Sequence, residues 1–307
     1  MRDATLLPEL ISLAADRDSA APALTYGNMT LNYGELQVAV TSFSSGLLSL
    51  GIQRGERVAI YLEKRFETVI ASFGAPAAGA VFVPLNPLLK PEQVGYIMRD
   101  CNVRVLVTSR ERLALLSDTL TTCHDLRHVI LVDSDAAAPN FDPIGVYSWT
   151  QLLENEQRNG HRLIDTDVLG ILYTSGSTGR PKGVVLSHRN MVAGAKSVSS
   201  YLQNHTGDTL LAALPLSFDA GFSQLTTAFH VGARVVLLNY LLPRDVLKAV
   251  EREKVTGLTA VPPLYIQLTQ LEWPPAISEH LRYFANTGGR MPREMLEALR
   301  GHLPKAK

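Results

Sequence analysis

The chain has 307 residues, 46% of them hydrophobic and 19% charged, with a formal net charge of zero. That composition is ordinary for a globular protein, and the length suits about two domains or one large α/β domain. A neutral balance does not point to a nucleic-acid surface, although it leaves local patches open. The first twenty residues, MRDATLLPELISLAADRDSA, have no apolar core behind Arg2 and do not read as a signal peptide. No window approaches the ~20 apolar residues of a membrane span. Cys101 and Cys123 are the only cysteines, too few for a disulfide framework, and they read as small packing residues. A reduced, cytoplasmic protein is expected.

The first elements are two short strands around Gly27-Asn28, a hairpin signal. From Tyr33 the period becomes helical: Leu36, Val40, Phe43, Leu47 and Leu48 share a face, and Gly51 ends the run. RVAIYL (57–62) is a continuously apolar strand, ETVIASFGAPAAGA a helix that Pro76 kinks or ends, and VFVPL (81–85) a strand before an Asn86-Pro87 turn. Pro91 opens another helix at its first position. Two strands follow, VRVLVTS and HVILVD.

Residues 134–166 are polar and rich in Pro, Asp, Asn and Gly, with one apolar patch around Val146–Leu153. They are the best internal boundary, giving units of 1–165 and 166–307. Strand DVLGILYT (167–174) then resumes. VVLSH (184–188), a helix from Asn190 and strand TLLAALPL (209–216) come next. A helix over 220–231, strand ARVVLL, a helix from Pro243 to Lys254 and strand VTGLTAV continue the alternation. A helix from Pro262, strand LRYFANTGG and a helix from Pro292 close it. Alternating elements, with many strands apolar on both faces, predict an α/β fold of parallel sheets flanked by helices.

YTSGSTGRPKG (173–183) suits neither helix nor strand. A strand ending in a Gly/Ser/Thr loop with a cation after it fits a phosphate cradle. Gly176 and Gly179 let backbone N–H groups turn inward. Thr174, Ser175, Ser177 and Thr178 supply hydroxyls, and Lys182 adds a charge-assisted contact. The bland alternative is a flexible linker, disfavoured by the strands on both sides. Pro181, not Gly, precedes Lys182, so this is not the common NTPase loop, and GxGxxG fails too. Ser175 stands two before Ser177, where a nucleophile elbow needs Gly. The histidines show no HExxH or similar metal spacing.

The same string resembles the signature loop of the adenylate-forming superfamily, which includes AMP-forming acyl-CoA synthetases, luciferases and peptide-synthetase adenylation domains. LTYGNMTLNYGELQ, GERVAIYLEKRFETVIASFGAPAAGAVFVPLNP, GVVLSHRN, LPLSFDAG and NTGGRMP resemble further stretches of that family in order, over roughly residues 22–307. The resemblance implies the first part of a luciferase-like large N-terminal domain. It implies attack of a carboxylate on the α-phosphorus of ATP, with pyrophosphate leaving with Mg2+. The acyl-adenylate then passes to a thiol, coenzyme A or a carrier pantetheine. Thr174, Ser175, Gly176, Ser177, Thr178, Gly179 and Lys182 would hold the β- and γ-phosphates, with Lys182 the catalytic cation. Gly288, Gly289 and Arg290 would line the adenine, where without the loop they read as a turn. Phe218 and Asp219 would border the acyl pocket. Asp219 either pairs with a substrate amine, as in amino-acid adenylation domains, or caps the helix that starts near residue 220; the cap is slightly preferred. His188 is expected to order the turn into its helix, with no proton transfer.

The family's Tyr-Gly-x-Thr-Glu stretch, its Thr-Gly-Asp and its small C-terminal domain have no counterpart here, and no metal ligand is assigned. The expected function is therefore an AMP-forming acyl-CoA ligase represented by a truncated chain, inactive alone. The alternatives are an amino-acid or aryl-acid adenylation domain that loads an acyl carrier protein, or a non-catalytic ATP-binding fragment. A small carboxylic acid is the expected substrate.

Overall fold

The computed structural model describes residues 3–133, 142–174, 180–304 and 306. In chain order the elements begin α1 (Glu9–Arg17), β1 (Pro22–Tyr26), β2 (Met29–Asn32), α2 (Tyr33–Ser49), β3 (Arg57–Tyr61), α3 (Phe66–Ala78) and β4 (Val81–Pro84). Next are α4 (Pro91–Asp100), β5 (Val103–Thr108), α5 (Arg110–Leu120), β6 (His128–Leu131), β7 (Gly145–Ser148), α6 (Trp149–Leu153), β8 (Val168–Thr174) and β9 (Lys182–Ser187). Then come α7 (His188–Tyr201), β10 (Thr209–Ala212), α8 (Asp219–Val231), β11 (Arg234–Leu237), α9 (Pro243–Arg252) and β12 (Gly257–Ala260). The last are α10 (Pro262–Thr269), α11 (Ile277–His280), β13 (Tyr283–Asn286) and α12 (Arg293–His302).

Contacts divide the chain into two units, residues 1–13 with 34–192, and 14–33 with 193–307. The first holds a seven-stranded sheet in the order β7-β6-β5-β3-β4-β8-β9, parallel except for the antiparallel edge β9. The second holds a six-stranded sheet, β13-β12-β10-β11-β1-β2, parallel except for the β1–β2 hairpin. The polar stretch at 134–166 does not divide the units. After it the chain re-enters the first sheet, because β8 pairs with β4 and β9 with β8. The α/β architecture of parallel-rich sheets covered by helices is as the strand composition predicts.

Each unit has its own apolar core. In the first, Val94, Ile97 and Met98 of α4 and Leu113, Leu116 and Leu120 of α5 pack on Val83, Val103, Leu106 and Val129 of the strands. In the second, Val246, Leu247 and Val250 of α9 and Leu264, Tyr265 and Leu268 of α10 cover Leu211, Val236 and Leu258. Pro76 sits in the last turn of α3 and the helix runs two residues past it, ending at Gly79 with φ +91°.

The second sheet is pinned at the amino ends of its strands by Asp208. Its side chain is fully buried and accepts from Arg282 (2.9 and 2.6 Å), Thr256 Oγ1 (2.7 Å), Asn204 Nδ2 (3.1 Å) and the His205 amide (3.0 Å). Burial alone would raise this carboxyl, yet these donors hold it below its ordinary value. Among the described residues no helix is long and apolar enough to cross a membrane.

Candidate functional site

The expected phosphate loop joins β8 to β9. Ser175, Gly176, Ser177, Thr178 and Gly179 lie outside the described residues; Thr174 and Lys182 are described and form the cross-strand pair that closes the connection. Lys182 is the first residue of β9 and is exposed. A strand, not a helix, follows the loop.

Two contacts anchor the loop's base on α4. The buried Tyr173 donates its hydroxyl to Asp100 Oδ2 at 2.5 Å, and Tyr96 donates to the Pro181 carbonyl at 3.4 Å. Burial first, then the neighbouring Asp100, pushes the Tyr173 phenol above its ordinary value, so it stays a donor. Gly183, opposite Tyr173, serves packing: a Cβ there would lie 2.6 Å from Ile171 Cγ2 and 3.2 Å from the Tyr173 ring. The last glycine of the string therefore seats an aromatic ring. Lys64, just past β3, escaped the sequence reasoning, because a lysine inside LEKRFE reads as solvated. Burial pushes its ammonium down to about 8.

His188 begins α7, and its side chain holds the N-terminal segment at Leu7 rather than the strand-to-helix turn it was expected to order. Its amide donates to the Asp167 carbonyl (3.2 Å), and its buried Nδ1 accepts the Leu7 amide at 3.0 Å. Burial outweighs the nearby Asp167, Glu9 and Asp165 and lowers its pKa to about 4. A histidine held neutral contributes stability in full above its ordinary value of 6.5, and that contribution is lost as pH falls towards 4. A drop of roughly 3 kcal/mol follows from a shift of that size. Urea unfolding across this range should show it. His188→Asn, which keeps an acceptor and cannot titrate, should flatten the slope; an unchanged slope contradicts the assignment.

In the second unit, the carboxyl ends of β10, β11, β12 and β13 lie along one edge of the sheet. β10 leads to Phe218 and Asp219, and β13 to Gly288, Gly289 and Arg290. Gly288 has φ +73°. The turn is exposed, is held by Asn286 Nδ2 donating to the Gly289 carbonyl (2.7 Å), and runs beside Val261 and Pro262.

Asp219 does not cap α8. The cap position is Phe218, 41% exposed, and no side chain caps the helix. The amides of Gly221 and Phe222, the donors a capping Asp219 would need, are taken by the Phe218 carbonyl at 3.0 and 2.9 Å. Asp219 is instead the first helical residue and is exposed, where a carboxylate still complements the helix dipole. Gly221 makes this turn possible: a Cβ on it would lie 1.9 Å from the Pro215 carbonyl oxygen. Gly221→Ala is expected to cost about 1–3 kcal/mol, since backbone must move. Wild-type stability in urea would contradict that close approach.

Among the described residues no group of three or more His, Cys, Asp or Glu is placed to hold a metal ion.

Two parallel-rich sheets covered by helices, the first with a glycine- and hydroxyl-rich connection between β8 and β9, are the architecture of an α/β protein of the adenylate-forming class. The AMP-binding enzyme family model matches residues 12–307, and the chain belongs to that family. Curated relatives include the L-proline–[L-prolyl-carrier protein] ligase of Streptomyces coelicolor, 31% identical over 97% of this chain and 57% of its own length. Another is a 4-coumarate–CoA ligase of Pinus taeda, 28% identical over 97% of this chain and 55% of its own. The chain thus spans little more than half of these two ligases. Among solved structures, VinN in complex with L-aspartate has a TM-score of 0.81 at 26% identity, covering 98% of this chain and 74% of that one. The anthranilate CoA ligase AuaEII in complex with anthranoyl-AMP shares the fold, with a TM-score of 0.88 at 23% identity over 97% of this chain and 58% of that one.

Proposed function

We propose that this chain is the nucleotide- and acid-binding part of an enzyme that adenylates an amino acid and passes it to a carrier pantetheine thiol. The observation that carries this reading is the state of Asp219. Its carboxylate caps nothing, and it stands at the mouth of α8, beside the half-exposed Phe218. An ammonium group would give it a charge-assisted partner. A plain acid would cover the carboxylate without one, at a cost of about 1–3 kcal/mol or more. The likeness to the prolyl-carrier ligase and to VinN with bound L-aspartate supports the same class.

The phosphates of ATP would meet the 174–182 connection, its hydroxyls and the Lys182 ammonium. Attack of a carboxylate on a polyphosphate brings anions together, so preorganised N–H groups and one cation screen charge and steady the leaving pyrophosphate. Gly288–Arg290 would border the adenine, where an exposed turn without bulk at two positions admits a flat ring. The acyl-CoA ligase reading stands second, supported by the likeness to the pine ligase.

Acid-dependent ATP–pyrophosphate exchange over a panel of amino acids and plain aliphatic and aryl acids tests the choice. Exchange stimulated by one or a few amino acids is expected. Stimulation by plain acids alone would replace this reading with the acyl-CoA one.

A further inference from the structure

Asp100 is a carboxylate in an adverse place. It is the last residue of α4 and is exposed. A negative charge at a helix C-terminus opposes the helix dipole, and water offers it no packing in return. A broken local rule of this kind marks a demand made elsewhere. Here the demand comes from β8. Asp100 Oδ2 accepts the Tyr173 hydroxyl at 2.5 Å, the short range of a charge-assisted O–H···O bond.

Tyr96 stands four residues before Asp100, hence on the same face of α4. Its hydroxyl donates to the Pro181 carbonyl at 3.4 Å, the weaker of the two contacts. One helix face thus holds Tyr173 and Pro181, and each directly precedes one member of the Thr174–Lys182 pair. The rest of the helix is fixed. Val94, Ile97 and Met98 are buried in the first unit's core, and Arg99 donates to Thr122 Oγ1 at 2.7 Å.

The Tyr173 ring belongs to the same core and lies against Gly183, the residue after Lys182. The tether therefore runs from a packed helix, through one hydroxyl and one ring, to the backbone that carries the Lys182 side chain. Lys182 itself is exposed on an edge strand. Its grip on a polyphosphate depends on how much freedom its base has lost before the ligand arrives.

We propose that Asp100 is a positioning residue for ATP: through Tyr173 it fixes the base of Lys182, so that the ammonium meets the terminal phosphates preorganised. Asp100 acts through Tyr173 and is not itself a phosphate ligand. That ATP binds at Lys182 rests on the function proposed above; the tether rests on the contacts of α4 with β8 and Pro181.

The test measures binding of ATP and of AMP, both with Mg2+ and without acid, to the 307-residue chain and its variants. AMP lacks the two terminal phosphates, so the ATP-to-AMP affinity ratio reads the Lys182 contact apart from the nucleoside. Asp100→Ala and Tyr173→Phe should each lower that ratio by about 5-fold or more, with AMP affinity nearly unchanged. Asp100→Asn, whose amide oxygen still accepts the phenol, should restore most of it. In a Lys182→Ala background, Asp100→Ala should change the ratio by no more than about twofold, because the two residues act as one unit. Hydrogen exchange at the β9 amides needs no nucleotide, and it should quicken in Asp100→Ala but not in Asp100→Asn. Unchanged exchange in Asp100→Ala overturns the tether. A ratio preserved in Asp100→Ala and Tyr173→Phe, or a loss that persists in the Lys182→Ala background, overturns the proposal alone. An unaltered chain that does not distinguish ATP from AMP overturns the phosphate reading and the proposal together.

Discussion

Lys182→Ala is expected to lower acid-dependent ATP–pyrophosphate exchange by about 10²- to 10³-fold, the usual cost of one preorganised charge contact on a reacting anion. The same change should move the unfolding free energy by no more than about 0.5 kcal/mol, as exposed substitutions generally do. The structure gives the reason for that split. Lys182 begins an edge strand, faces water, and takes no part in the first unit's core. Its backbone pairing with Thr174 survives truncation of the side chain. A large stability loss would make Lys182 a structural residue, and an unchanged exchange rate would remove it from the phosphates.

Asp219→Ala should cost about 10²-fold or more in exchange with the preferred amino acid, because truncating one partner of a desolvated ion pair costs about 2–5 kcal/mol. In stability it should cost at most about 1 kcal/mol, the share of a carboxylate at a helix N-terminus. The two magnitudes separate the roles: a residue serving only the helix dipole would show the second effect without the first. Asp219→Asn discriminates further. An amide keeps the size but loses the charge, so amine recognition should still fail.

Much of the fold was legible because its signals are local. The strands β3, β4, β5 and β6 are short, mostly apolar runs that the structure largely buries, whereas β8 leaves Val168 41% exposed. β9 shows the limit of that signal: Val184 and Val185 are 45% and 58% exposed on an edge strand, since an apolar run does not say which sheet position it occupies. α5 passed unnoticed: Leu113, Leu116 and Leu120 keep helical spacing, but the charges of RERLALLSD mask it. The polar stretch at 134–166 resembled a boundary because loops and linkers share a composition; only the pairing of β8 with β4 shows that the chain returns. The turn at Gly288 was legible in NTGGRMP from its glycine pair, and the strand before the loop in DVLGILYT from its apolar run. The cap at α8 was not, because it depends on a carbonyl, that of Phe218, and a backbone carbonyl leaves no mark in sequence.

The claim that matters most is that Asp219 selects for an amine. The most direct measurement compares the preferred amino acid with its deamino counterpart, identical except for the ammonium group, in ATP–pyrophosphate exchange. A preference of about 10²-fold or more in kcat/KM is predicted, since a carboxylate left unpaired under a substrate rejects it strongly. Rates within about threefold of each other would contradict the account and return Asp219 to an exposed residue at the start of a helix.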